Sequence, residues 1–310
     1  MKKSLFSNKG MPSLQIGIVI SLAVLLFFIV FFFINRQNMN RLKTEYEKSV
    51  IKTNLVQTMK NELLTSAEAE KSSVMADTDE TSKAFAEQSI QASQKVERAR
   101  IAFEALVQKN SEEAKSLDDF TACWEKLRGI DNEVLSLAVQ NTNLKAFRLC
   151  FGPAAVAIRH MEKALNELMD WAAASHPDKA VVIRLSSKAL TDVLDIYTLE
   201  APHIAETTDA GMDAIEVNIK QLDEKENVAL NRLDALVGGT GKRLLGEALK
   251  SYREFQTINA KIIELSRRNS NIRSLAESLG QKRHVMALCL DRLNALQEVV
   301  HENATFKATR

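Results

Sequence analysis

Residues 153–174 read PAAVAIRHMEKALNELMDWAAA. Within this stretch Ile158, Met161, Leu165 and Leu168 step by three and four, the spacing that lines up one face of an α-helix. The same steps return at Met286, Cys289, Leu293 and Leu296. Leu165-Asn166 and Leu168 also match Leu293-Asn294 and Leu296 residue for residue. One chain thus carries a helix and a later copy of it, and no stretch shows the strict alternation of a half-buried strand.

The repeat extends outward from this helix in both directions. At an offset of 128, Trp124 matches Tyr252, Ile130 matches Ile258, Leu137 matches Leu265, and Gly152 matches Gly280. Asn141 and Asn143 match Asn269 and Asn271 in the same register. Nearer the N-terminus the offset is 130: Glu70, Thr78 and Asp79 match Glu200, Thr208 and Asp209, and Ala105-Leu106-Val107 matches Ala235-Leu236-Val237. A register held this long points to a duplicated helical unit.

Helix breakers are sparse. The four prolines are Pro12, Pro153, Pro177 and Pro202, and Gly129 is the sole glycine between Gly17 and Gly152. Long helices follow from that. Asp77 with Glu80 and Asn110 with Glu113 have capping-box spacing. Gly152-Pro153 reads as a helix stop followed by a start, Ser175-His176-Pro177-Asp178 as an end and a new cap, and Gly238-Gly239-Thr240-Gly241 as a turn. These signals predict eight helices over 38–76, 81–109, 112–149, 153–174, 178–206, 209–236, 242–278 and 281–304, with Pro202 kinking the fifth.

Ile16–Ile34 reads IGIVISLAVLLFFIVFFFI and carries no charge. As a helix it spans roughly 28 Å, close to the hydrocarbon thickness of a bilayer. It is longer than the apolar core of a cleaved leader and exits into Asn35-Arg36-Gln37-Asn38 rather than small residues, so an uncleaved anchor is expected. Large domains translocate largely regardless of charge, which places the short N-terminus in the cytoplasm and the bulk outside it. The expected fold class is all-α: an N-terminal transmembrane helix followed by two tandem antiparallel four-helix bundles. The expected divisions are 1–15, a cytoplasmic N-terminus; 16–34, the anchor; 36–175, the first bundle; and 176–310, the second.

The charge balance, 41 Lys plus Arg against 40 Asp plus Glu, supplies no basic field for nucleic acid. Cys123, Cys150 and Cys289 form no CxxC or Cys/His cluster, and the five histidines show no i,i+4 pair; no metal site and no cofactor are expected. The cysteines read as small core residues and the histidines as surface or cap residues. Val237-Gly-Gly-Thr-Gly-Lys-Arg243 fails the phosphate-loop pattern, because Leu236 stands where the first glycine belongs and Arg243 follows the lysine. With no nucleophile signature either, no catalytic residue is assigned and an enzyme is not expected. Capture of a small molecule between helices calls for cationic donors, and Arg98, Arg100 and Arg159 are the candidates. Trp124 and Trp171 read as packing residues.

Phe120-Thr-Ala-Cys-Trp-Glu-Lys-Leu127, Asn132-Glu-Val-Leu-Ser-Leu-Ala138 and Asn141-Thr-Asn-Leu-Lys-Ala146 resemble the third helix of the four-helix-bundle sensory domain of methyl-accepting chemotaxis receptors. Ala67-Glu-Ala-Glu-Lys71 and Ala76-Asp-Thr-Asp-Glu80 resemble that domain's first turn region. The resemblance covers 38–174 and, more weakly, 178–304. It implies an extracytoplasmic module on a bacterial inner membrane, with its bulk periplasmic. The implied partners are a small-molecule ligand, a second copy in a homodimer, or a partner receptor. In that family a second transmembrane helix and a cytoplasmic signalling rod follow the bundle. This sequence reaches Arg310 without either, so output is expected to need a partner or a continuation of the chain. The rival expectation is a helical spacer or envelope-assembly protein. A buried polar pocket would favour the sensor; a continuous apolar core with an exposed apolar stripe would favour the spacer.

Overall fold

The computed structural model describes residues 13–308, with the side chains of Leu22 and residues 24–304. Residues 1–12, within the expected cytoplasmic segment 1–15, lie outside the described residues. Among the described residues there is no strand. The helices are α1 (Ser13–Met75), α2 (Asp79–Glu104), α3 (Glu112–Ala138), α4 (Thr142–Leu149), α5 (Ala155–Ser175), α6 (Lys179–Ala205), α7 (Asp209–Leu236), α8 (Gly239–Arg268), α9 (Ser270–Leu279) and α10 (Gln281–Ala308). A π-turn, Cys150–Ala154, joins α4 to α5.

Most predicted boundaries fall within a few residues of these. The caps sit one residue later than their motifs: Thr78 Oγ1 accepts the Thr81 N–H at 3.1 Å, and Ser111 Oγ accepts the Ala114 N–H at 3.2 Å. Thr208 caps α7 in the same way, through the Gly211 N–H at 3.1 Å. Pro202 lies inside α6, which ends at Ala205. The apolar run begins inside α1, which continues unbroken to Met75. Among the described residues no helix is long and apolar enough to cross a membrane; the expected anchor Ile16–Ile34 falls partly outside those whose side chains are described.

The chain divides into two compact units. One comprises residues 1–62, 95–122 and 289–310; the other comprises 63–94 and 123–288. In the first unit, Val56 and Met59 of α1, Val96 and Phe103 of α2, Phe120 of α3 and Leu293 and Leu296 of α10 are buried. Lys60 Nζ reaches Gln297 Oε1 at 3.0 Å, and Lys52 Nζ meets Glu113 Oε2 at 2.5 Å.

In the second unit α5 packs on α6 and α8, α6 also packs on α7 and α8, and α7 packs on α8. Their apolar stripes enclose one core containing Met161, Leu165, Leu168, Val193, Leu233 and Phe255. Two reciprocal serine pairs bind α1 to α2 in this unit. Ser66 and Ser89 each donate a hydroxyl to the other's carbonyl, at 3.1 and 2.9 Å, and Ser73 and Ser82 do the same at 2.8 and 3.0 Å. All four are buried, and side chains this small let two helix backbones approach closely.

The helix pairing runs across the boundary expected between bundles at 36–175 and 176–310. The last helix of the first repeat, α5, packs among α6 and α8 of the second repeat. Conversely, α10 meets the first repeat: Lys282 reaches Glu70 of α1 and Asp131 of α3. The physical reason lies at two places where stops were expected. At Gly152-Pro153 the chain does not reverse. It takes a π-turn, which absorbs the missing proline N–H and lets the helix run on. The interruption falls instead at Asn141 (φ 50°), and in the second repeat at Asn269 (φ 51°). Asparagine tolerates this left-handed conformation better than most residues.

Candidate functional site

The two interruptions meet in the second unit. Thr142 N–H donates to Ser270 Oγ at 3.1 Å, and Ser270 N–H donates to Thr142 Oγ1 at 3.0 Å. Asn143 N–H donates to Asn271 Oδ1 at 3.1 Å, and Asn271 N–H donates to Asn143 Oδ1 at 3.2 Å. Each broken helix thus caps the first turn of the other, satisfying N–H groups that a helix start leaves orphaned. Asn271 Nδ2 also donates to Asn141 Oδ1 at 3.0 Å, and Asn143 Nδ2 to Asn269 Oδ1 at 2.8 Å. The crossing is tied to both inter-helix turns: Asn141 Nδ2 reaches Asp79 Oδ1 at 3.1 Å, and Asn269 Nδ2 reaches the Glu206 carbonyl at 3.0 Å. The sequence reading found the asparagines as repeat markers but not their mutual contact.

Buried charge is also found in the second unit. Lys282 Nζ lies 2.5 Å from Glu70 Oε2 and 2.8 Å from Asp131 Oδ1. Ser278 Oγ adds a hydrogen bond to Glu70 Oε2 at 3.3 Å. The three charged residues are all buried. Two carboxylates share one ammonium, and burial pushes the Asp131 carboxyl up while Lys282 opposes it.

The second repeat lacks that compensation. Glu200, the repeat counterpart of Glu70, is 1 % exposed, and neither of its oxygens has a hydrogen-bond partner of ordinary geometry. Burial pushes its carboxyl up to about 7, opposed by the weak Cys150 thiol donor. The thiol itself is pushed up to about 12 by burial and by the Glu200 charge.

A third carboxylate, Glu226 on α7, is fully buried with both oxygens unpartnered. Its carboxyl is pushed up to about 8 by burial and by Asp192, with Lys188 opposing. Lys188 is already held by Asp192 at 2.7 Å. Asp223 is engaged by the Tyr252 hydroxyl at 2.5 Å and by Gln256 at 2.7 Å.

The arginines expected to hold a ligand are not brought together. Arg98 is exposed on α2. Arg100 is engaged on its own helix by Glu97 at 2.9 Å and Glu104 at 3.0 Å. Residues two apart on a helix point to different sides. Arg159 is exposed on α5, in the other unit. It acts on Tyr197, whose phenol is raised chiefly by burial, with Arg159 opposing.

The reading of the histidines needs one correction. His203 is fully buried, with Nδ1 2.8 Å from Ser266 Oγ and Nε2 2.9 Å from Glu216 Oε1. Its place on the inner face of α6 was hidden by Pro202. All three cysteines are buried. Trp124 is a core residue. Gly238–Gly241 forms the cap and first turn of α8, where Gly241 leaves room for the Trp171 ring.

Residues 13–175 match the family model described as a four helix bundle sensory module for signal transduction. The match runs from the apolar run through α5, which is the whole first repeat. No curated protein matches the chain. The family is one of sensing rather than catalysis, and the match covers more than half of the chain: this protein belongs to the four-helix-bundle sensory modules of signal transduction.

Proposed function

We propose that the chain is a membrane-anchored, extracytoplasmic sensor that binds a small molecule or a partner protein between its helices and answers by shifting one helix against its neighbours. The observation that carries this reading is α1. It is one helix from Ser13 to Met75, and it bears both the apolar run and Glu70, the buried carboxylate held by Lys282. Glu70 and the apolar run are thus joined by one continuous helix, along which a displacement can act. Leu22 and Val24–Ile34, the described part of the run, are all more than 45 % exposed, as suits a lipid-facing surface. Buried polar networks and unpartnered carboxylates favour a sensor over a spacer, whose core would be apolar throughout. A homodimer or a partner receptor supplies the output, and the inner membrane is the proposed location, with the bulk periplasmic.

Topology and extraction test this reading together. The protein should resist alkaline carbonate and yield only to detergent. In intact spheroplasts a cysteine at Glu302→Cys should be alkylated, while one at Ser4→Cys should react only after permeabilisation. Release by carbonate, or the reverse pattern of labelling, overturns it.

A further inference from the structure

The two copies of the repeat build the same site differently. In one, Glu70, Asp131, Ser278 and Lys282 converge. At the offsets that align the copies, their counterparts are Glu200, Asn259, Cys150 and Ala154. The geometry supports the correspondence, because Cys150 interacts with Glu200 as Ser278 does with Glu70. Where the first site holds a lysine, the second holds an alanine. The anion it served remains: Glu200 is buried with neither oxygen partnered, and Asn259 Oδ1 is buried and unpartnered as well. A buried carboxylate left without its cation is strongly unfavourable.

We infer that the Glu200 site binds a primary alkylammonium group, which takes the place that the Lys282 side chain fills in the other copy. Beyond Cβ, lysine carries three methylenes and an ammonium, so n-propylammonium is the fragment that Ala154 leaves out. Glu200 Oε1 and Oε2 accept two of its N–H donors and Asn259 Oδ1 accepts the third. The π-turn over Cys150–Ala154 lines the site, and such turns widen a helix locally, often at functional sites. Tyr197, half-buried beside Cys150, stands where the first copy has Ala67. One carboxylate, one amide oxygen and a thiol are too few oxygen ligands for Ca2+ or Mg2+. They suffice for an ammonium.

This inference deepens the sensory reading and rests on it for its biological meaning, while its test is direct binding and leaves the topology experiment unaffected. The groups that face Glu200 are Cys150 on the π-turn and Tyr197 on α6, with Arg159 of α5 acting on Tyr197. Glu200 must be ionised to bind, and burial holds its carboxyl up at about 7. An alkylammonium stays charged to about pH 10, as lysine does. Affinity should therefore rise about tenfold per pH unit up to about 7 and level off above it.

The full chain in detergent is titrated with n-propylammonium by calorimetry at about pH 8, with 1-propanol and propionate as the uncharged and anionic comparisons. Binding is expected for the ammonium alone. Glu200→Gln should weaken it at least about tenfold, and Ala154→Lys should abolish it while raising the melting temperature. Should Ala154→Lys fail to fold, Glu200→Gln and the pH profile decide. No binding at about pH 8, as expected if Glu200 carries only a proton, overturns the inference. Equal binding of propanol, or binding unchanged by Glu200→Gln, does the same.

Discussion

Replacing Glu226 by Gln should stabilise the protein and remove much of its pH dependence. In the folded chain the Glu226 carboxyl is raised from 4.5 to about 8, first by burial and then by Asp192. The folded state therefore holds this proton more tightly than the unfolded chain does. The stabilisation is complete below about pH 4.5 and is lost as pH rises through about 8. Each tenfold difference in proton affinity is worth about 1.4 kcal/mol. The ionised form therefore costs about 5 kcal/mol above pH 8 and about 3 kcal/mol at neutrality. A glutamine has the shape of the neutral acid and leaves its polar atoms equally unpartnered, so that local penalty is common to both proteins. Urea unfolding of the full chain at pH 5 and pH 8 should show the variant gaining little at the lower pH and about 5 kcal/mol at the higher. Lys188 stays with Asp192 in both. A variant no more stable than the parent at pH 8, or a gain that is larger at pH 5, would refute the reasoning.

Substitutions at three other positions are open to the same unfolding assay. Lys282→Met leaves Glu70 and Asp131 buried without their cation and should cost about 3–5 kcal/mol by denaturant unfolding; adding Glu70→Gln should return part of that loss. Asn269→Ala forces alanine into the left-handed conformation and strips the bonds to Asn143 and Glu206, a loss of about 3–5 kcal/mol. Asn269→Gly, which restores the backbone freedom alone, should lose about 1 kcal/mol less in the same unfolding assay. Gly241→Ala drives a Cβ into the Trp171 ring and should cost about 1–3 kcal/mol, with a shift in tryptophan emission as the readout.

The helices were legible because their signals are local. Three-and-four spacing, scarce breakers and polar turns each act within one or two turns of chain, and apart from the breaks at Asn141 and Asn269 the helices from α2 onward end near where those signals place them. Which helix packs on which was not legible in the same way. The decision falls at Cys150–Ala154, where Gly-Pro reads as a stop and a π-turn instead carries the helix onward. Neither outcome has a composition signature, because a glycine followed by proline fits a turn and a widened helix alike. Site chemistry was less legible for a related reason. Arg98, Arg100 and Arg159 were chosen by residue type, and type does not reveal that Arg100 is consumed by Glu97 and Glu104. The more telling signal was already present as a mismatch. Extending the 128-residue register pairs Lys282 with Ala154 and Asp131 with Asn259, so the copies differ in charge at one structural position.

The exchange of last helices gives that mismatch its consequence. Had each repeat closed on itself, Lys282 would belong to the second repeat's own core. Because α10 instead meets α1 and α3, its ammonium neutralises a carboxylate on the helix that carries the apolar run. Meanwhile the π-turn before α5 brings an uncharged Ala154 to α6. The broken helices that lead to these two positions, α4 and α9, start at the same crossing and cap each other's first turns. A rotation of one cannot leave the four reciprocal bonds between them intact. A cation entering beside Glu200 would draw on the π-turn and α4. The crossing would then pass that movement to α9 and on to Lys282, whose 2.5 Å contact with Glu70 acts on α1. The links at the crossing and at Lys282 are polar contacts with few alternative geometries, whereas an apolar core could absorb the same displacement by sliding.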